Sequence, residues 1–197
     1  QVDTPTDIVK CFWEITHQHR PVIDRVLDLG AGDGRFALAG NFQRYCGIEI
    51  DASRPRNPAL TNAAKIRYGC AFEQRRGRYD ACIGNPPYVR HHDLDEKWRD
   101  RIADSLSELT GERVNRKCNL YVYFLFWALL NTRKDGLVSL LVPYEWVTRP
   151  SANPLRSYID KNGWSVDSYR FEESIFDDVL TTASITVIDK RSSLSAW

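Results

Sequence analysis

Four consecutive residues, Asn85-Pro86-Pro87-Tyr88, form the most chemically pointed stretch of this sequence. They follow Tyr79–Gly84, which reads as a strand. Two prolines in succession cannot continue a sheet or open a helix smoothly, so the chain must turn here with its carbonyls held in set directions. Asn85 offers a side-chain carbonyl and Pro86 a backbone carbonyl. Two acceptors converging on one point suit an –NH2 group, which carries two donors. Tyr88 adds a flat face on which a planar group can stack. An amino or amide nitrogen conjugated to a π system is a poor nucleophile, because its lone pair is delocalised. Acceptors that hold its N–H bonds stabilise the positive charge that grows on nitrogen during attack. Methyl transfer to such a nitrogen fits this constellation and requires neither a cysteine nucleophile nor a metal.

A second constellation lies upstream. Val26–Leu29 reads as a strand that runs into Gly30-Ala31-Gly32-Asp33-Gly34. Glycines at such a turn permit positive φ and let backbone approach a ligand closely. A helix starting there presents free N–H groups to an anionic group. The next strand, Tyr45–Ile50, carries Glu49 near its end, at the spacing expected for a carboxylate that accepts ribose hydroxyls. Loop and acid together indicate an adenosine-containing cofactor, either a dinucleotide or S-adenosylmethionine.

These groups need a scaffold. Apolar runs alternate with helical patterns, which predicts an α/β sheet covered on both faces. Strands are expected at Arg25–Gly30, Tyr45–Ile50, Ile66–Cys70, Tyr79–Gly84, Gly136–Val142 and Ser184–Ile188. Helices are expected at Thr6–His17, Gly34–Phe42 and Asn153–Asn162, with Gly163 as a C-terminal cap. Asn119–Thr132 is apolar nearly all round and reads as a buried helix. Arg90–Lys117 is a polar insertion with seven Lys/Arg and seven Asp/Glu. It reads as a solvated helix laced with salt bridges or as a mobile element on the substrate side.

With 197 residues and 43% hydrophobic content, the chain can bury a core, and disorder is excluded. Lys+Arg 27 against Asp+Glu 26 is not the balance of a chain that grips nucleic acid by charge alone. The charge is uneven, however: Ser53–Tyr79 holds seven Lys/Arg and a single acid, Glu73, so it is either a phosphate contact or a solvated face. Five cysteines at wide spacing with no C-x-x-C read as free thiols in a reducing cytoplasm rather than as disulfides or a zinc site. The apolar run Leu120–Leu130 is too short to span a bilayer, so no membrane partner is expected. His17 and His19 near a helix end read as structural, and His91-His92 as loop residues that could contact phosphate.

The motif order resembles the catalytic domain of amino-methylating DNA adenine methyltransferases, the class in which the cofactor loop precedes NPPY. The resemblance runs along nearly the whole chain. Asp3-Thr4-Pro5 with Ile8-Val9 resembles the family's opening segment at the methionine end of the cofactor. VLDLGAGDG, with Asp28, Gly30, Ala31 and Gly32, matches the cofactor loop. GIEID, with Glu49 and Ile50, matches the ribose strand, and GNPPYVR the catalytic motif. Asn119-Leu120-Tyr121 and Gly136–Trp146 match the following helix and strand. Ser174–Ile188 resembles the late segment in which a Phe packs on the flipped base, with Phe176 at the matching position. Cys70-Ala71-Phe72 stand where the family usually carries an acid for the cofactor's adenine amino group. Cysteine is a poor acceptor, so either that contact is lost or a backbone group supplies it.

The resemblance implies a Rossmann-like class I methyltransferase fold, a mostly parallel seven-stranded sheet with helices on both faces, occupying residues 1–197. It implies S-adenosylmethionine as cofactor and a flipped-out adenine in double-stranded DNA as substrate. It also implies a place in a restriction–modification system. Target choice would then fall to a recognition domain or specificity subunit outside this chain, with a linked nuclease possible in the parent. The missing Met likewise suggests an isolated domain. Rival readings are methylation of RNA, methylation of a protein glutamine, and a non-catalytic cofactor-binding domain.

Overall fold

The computed structural model describes residues 3–73, 76–77, 79–172 and 182–191. The central strands are those whose sequences are apolar on both faces: β1 (Ile23–Leu29), β4 (Tyr79–Gly84) and β5 (Thr132–Pro143). Such runs belong in the middle of a parallel sheet, where no face meets water. The sheet has seven strands in the order β3-β2-β1-β4-β5-β7-β6, with β2 at Phe42–Glu49, β3 at Ala64–Tyr68, β6 at Ser165–Arg170 and β7 at Ala183–Asp189. All pairs are parallel except those made by β7, which runs antiparallel to both β5 and β6.

Helices cover both faces. On one side α1 (Thr6–His19) packs Val9, Phe12 and Trp13 against Val26, Tyr45, Ala81 and Ile83. On the other lie α2 (Glu96–Thr110), α3 (Leu120–Asn131) and α4 (Asn153–Lys161). α3 is the buried helix expected from its composition: Phe126 and Leu125 are 0% exposed, and even Asn131 is buried. α2 forms within the charged insertion. Asp95 caps it by accepting from the Trp98 amide at 2.8 Å, and Gly111 ends it at φ 74°. It buries Ile102, Ala103 and Leu106 and turns its ion pairs outward, among them Arg116 with Asp104 at 2.8 Å. The insertion is thus a packed amphipathic helix rather than a free loop.

Three expectations need correction. The helix foreseen over Gly34–Phe42 is a single 3-10 turn, Arg35–Leu38, and Phe42 already begins β2. The cause is α1. The Trp13 indole donates to the Phe36 carbonyl at 2.7 Å, taking the acceptor that a continuing helix would offer to residue 40. The indole also lies against Gly40, where a side chain would collide with it. Second, β5 starts at Thr132 rather than Gly136. Third, β6 has no counterpart among the segments picked from sequence. It is an edge strand whose polar residues show too little apolar alternation to mark it. Among the described residues no helix is long and apolar enough to cross a membrane.

Candidate active site at the ends of the central strands

In this strand order the chain leaves the centre in opposite directions from β1 and β4, which lie side by side. The carboxyl ends of such a pair border the crevice where open α/β sheets bind ligands. The glycine loop follows β1 and the NPPY turn follows β4.

The loop depends on its glycines. Gly30, Gly32 and Gly34 have φ of 88°, 60° and 87°, values that L side chains rarely adopt. The amides of Gly30 and Ala31 both donate to the Ile48 carbonyl at 2.9 Å, which ties the loop to β2. Glu49, at the end of β2, is buried; it accepts from the Gly32 amide at 2.8 Å through Oε2 and from the Asp51 amide at 3.0 Å through Oε1. These bonds orient the carboxylate, and each oxygen keeps a further lone pair.

A cavity of about 280 Å³ opens beside the loop. Gly30, Glu49, Ile50, Cys70, Ala71 and Phe72 line it, so residues from three separate stretches meet there. Trp98 of α2, Leu120 and Phe124 of α3, and Pro87 and Val89 complete its walls. The Trp127 indole donates to the Ala71 carbonyl at 2.8 Å and holds the turn after β3. Phe72 meets Phe124 edge-on at 4.9 Å and Trp98 at 5.5 Å. The wall is thus mostly apolar and aromatic, shaped for a flat ring.

A smaller recess of about 20 Å³ shares Gly30 with this cavity and is lined by Thr4, Ala31, Gly32 and Asn85 together with charged residues. Thr4 is buried. Arg35 fixes the opening segment by donating to the Thr4 carbonyl at 2.8 Å while pairing with Asp3 at 2.7 Å and Asp33 at 3.0 Å. Arg54 also pairs with Asp3. Pro5 is exposed and caps α1 instead of lining either space.

Asn85 stands at the junction. Its Nδ2 donates to Thr4 Oγ1 at 3.1 Å. Its Oδ1 is buried and has no partner among the described residues. An orphaned buried acceptor costs about 1–3 kcal/mol, so the site is built to receive a donor. Pro86 is buried behind it. Tyr88 is anchored through its hydroxyl to the Leu141 carbonyl at 3.1 Å, and its ring meets Tyr121 edge-on at 6.3 Å. Burial pushes the Tyr88 phenol well above its ordinary value, so it stays neutral. Phe176 lies outside the described residues.

Asp28 occupies a different place from the loop residues that follow it. It is 1% exposed, accepts from the Tyr45 hydroxyl, and faces Gly84, where a Cβ would collide with its Oδ1. Gly84, at φ 132°, immediately precedes Asn85. Asp28 therefore sits beneath the candidate site, between the glycine loop and the NPPY turn. Burial pushes its carboxyl up to about 7, with the Tyr45 bond opposing that rise.

The histidines are placed as the sequence suggested. His17 is held between the Arg20 carbonyl at 3.1 Å and the Asn41 amide at 3.1 Å. His91 and His92 form a 3-10 turn after the motif, with the His91 amide donating to Asn119 Oδ1 at 3.3 Å.

Residues 42–176 match the family model described as Eco57I restriction-modification methylase. The chain belongs to that family. Among curated proteins it is similar to the type II methyltransferase M.AccI of Acinetobacter calcoaceticus, at 31% identity over 58% of this chain and 21% of that protein. It is also similar to the type II methyltransferase M.HincII of Haemophilus influenzae, at 25% identity over 94% of this chain and 36% of that protein. The chain thus spans well under half the length of either relative. In fold it is similar to a class I S-adenosylmethionine-dependent methyltransferase structure from Listeria monocytogenes, with a TM-score of 0.63 and 15% identity, covering 98% of this chain and 64% of that one. The Rossmann-like class I methyltransferase fold foreseen from the motifs is therefore the fold observed.

Within this Eco57I-type framework, residues not singled out from sequence also build the site. Trp98 and Phe124 wall the larger cavity, and Arg35 and Arg54 clamp the opening segment. A bulky aromatic inside a charged insertion was a readable signal for Trp98. The arginines carried none, since their partners lie far away in sequence.

Asp28 makes stability depend on pH. A folded-state value near 7, above the unfolded value of about 3.9, means that the folded chain holds the proton more tightly. The associated stability is complete below about pH 4 and is lost as pH rises through about 7. Asp28→Asn should therefore gain stability over the parent as pH rises from about 4 to about 7, by on the order of a few kcal/mol, and melt correspondingly higher. Parallel melting curves for the two proteins would show that Asp28 is not the titrating group.

Proposed function

We propose that this chain is the catalytic domain of an S-adenosylmethionine-dependent DNA adenine-N6 methyltransferase belonging to a restriction–modification system. The observation that carries the proposal is the orphaned, buried Oδ1 of Asn85, set where the glycine loop and the NPPY turn converge. Family membership supports the restriction–modification assignment.

The residues fit the cofactor. Cys70, Ala71 and Phe72, with Phe124 and Trp98, would hold its adenine; Glu49 would accept its ribose hydroxyls; and Thr4 and Gly32, beside the glycine loop, would face its methionine end. Bound there, S-adenosylmethionine supplies an electrophilic methyl group. Asn85 and the Pro86 carbonyl would accept the N–H bonds of the target amino group, orienting its nitrogen and offsetting the charge that grows on it. Tyr88 would stack on the base, with its ring angle set by the bond to Leu141. Phe176 is proposed for the opposite face. An adenine must leave the duplex to reach these groups. Target choice would belong to a recognition domain or specificity subunit, with or without a linked nuclease, in the parent protein.

Four measurements test this reading. Label from S-adenosylmethionine, offered with DNA, RNA and protein, should appear in N6-methyladenine from DNA. In Asn85→Ala that transfer should fall at least about a hundredfold, while cofactor affinity changes little. Undiminished turnover in the variant, or label in RNA or glutamine instead, would overturn the assignment. Tyr88→Ala should weaken transfer far more than Tyr88→Phe, which keeps the ring; equal losses would remove the stacking role. Cys70→Asp restores an acceptor at the adenine end and should tighten cofactor binding about fivefold, the worth of one hydrogen bond near 1 kcal/mol. Weaker or unchanged binding, measured by calorimetry, would show that the adenine amino group is not held at this position.

A further inference from the structure

A second cavity, of about 540 Å³, lies away from the crevice described above. Arg25 of β1, Arg44 of β2, and Lys65 and Arg67 of β3 line it, beside Tyr79 of β4. All four cations are exposed, and no carboxylate lines the space among the described residues.

The sheet register makes these cations one array. Arg25 stands directly opposite Arg44 across the β1–β2 pair. Lys65 is paired with Cys46, two positions beyond Arg44, and Arg67 lies two further along the same face. Successive steps are therefore roughly 5–8 Å by strand geometry. Leu27, Ile48, Cys46 and Tyr79 belong to the core on this same side of the sheet. The helices α2 and α3 that cover that core leave the outer strands bare. The link from β3 to β4, where α/β folds commonly place a covering helix, contributes only the 3-10 turn Ala71–Glu73 among its described residues.

Like charges directly opposite each other destabilise a sheet. Several arginines elsewhere pair with carboxylates, among them Arg35, Arg54, Arg99, Arg116, Arg133, Arg149 and Arg191, while Arg56 and Arg170 face tyrosine rings. Arg25 likewise lies over the Tyr79 ring at 5.2 Å. A row of cations that pairs with no carboxylate among the described residues is suited to a polyanion outside the fold. The array runs from Arg25, about 17 Å of extended chain before Gly30, to Arg67, which pairs with Ile48 at the border of the crevice.

We propose that this uncovered sheet face binds the sugar–phosphate backbone of DNA, as a contact separate from the crevice that receives the target base. The inference rests on the DNA reading above. Neutralising phosphates releases counterions, so each contact adds about 0.9 to the slope of log affinity against log salt.

The test is the double variant Arg44→Gln/Lys65→Gln, with Asn85→Ala as a control, measured with a short duplex of random sequence over a salt series. The double variant should bind more weakly at low salt, with a slope reduced by about 2. Asn85→Ala should keep the parental slope. Cofactor affinity and methyl transfer at saturating DNA should be unchanged in the double variant, and its melting temperature should be equal or higher, because like-charge repulsion is relieved. If the parent methylates DNA and the double variant shows the parental slope, this surface is not a phosphate contact, and an acidic protein segment becomes its better occupant. If the parent neither binds nor methylates DNA, the functional reading fails and this inference falls with it.

Discussion

The site depends on two parallel strands ending side by side while the chain leaves them in opposite directions. β1 pairs with β4 through Val26–Ala81, Leu27–Cys82 and Asp28–Ile83, and each strand then breaks on a glycine. Asp28 against Gly84 is the closest expression of this constraint. The carboxylate fills the space a side chain at residue 84 would need, so the NPPY turn must start from glycine. The Tyr45 hydroxyl holds that carboxylate from the neighbouring strand. The glycine loop, β2 and the NPPY turn are thereby locked to one another through a single buried group.

Around that junction the protein divides its polar and apolar tasks. The larger cavity is walled by aromatic side chains from helices that cross the sheet, and these set its shape without offering many hydrogen bonds. The smaller recess is built from ion pairs among Asp3, Asp33, Arg35 and Arg54, which pin the start of the chain over the loop. Asn85 faces the recess with one end of its amide satisfied by Thr4 and the other unsatisfied. A buried acceptor without a partner is tolerated where a ligand supplies the donor.

Much of the framework was legible in the sequence. The central strands and α3 could be read because burial on both faces demands unbroken apolar runs, and the loop and the NPPY turn because glycine and proline restrict the backbone in opposite ways. The elements that were misread are those governed by distant partners. The segment after Gly34 has helical composition, but Trp13 takes the Phe36 carbonyl and ends the turn early. β6 is polar and owes its strand state to the edge of β7. The charged insertion left two readings open, and packing of Ile102 and Leu106 against the core decided for the helix.

The candidate groups could be picked from the sequence alone, because acceptors, glycines and an aromatic face are set by residue type and by local backbone limits. Their assembly into one crevice was not. Thr4, Gly30, Glu49, Cys70 and Asn85 converge only because the strand order reverses between β1 and β4. The same pairing decides that Asp28 lies beneath the site rather than in it, and that four cations from three strands form one row. Each of these facts depends on which strand lies beside which, and local sequence carries no record of a neighbour that the chain reaches only after folding.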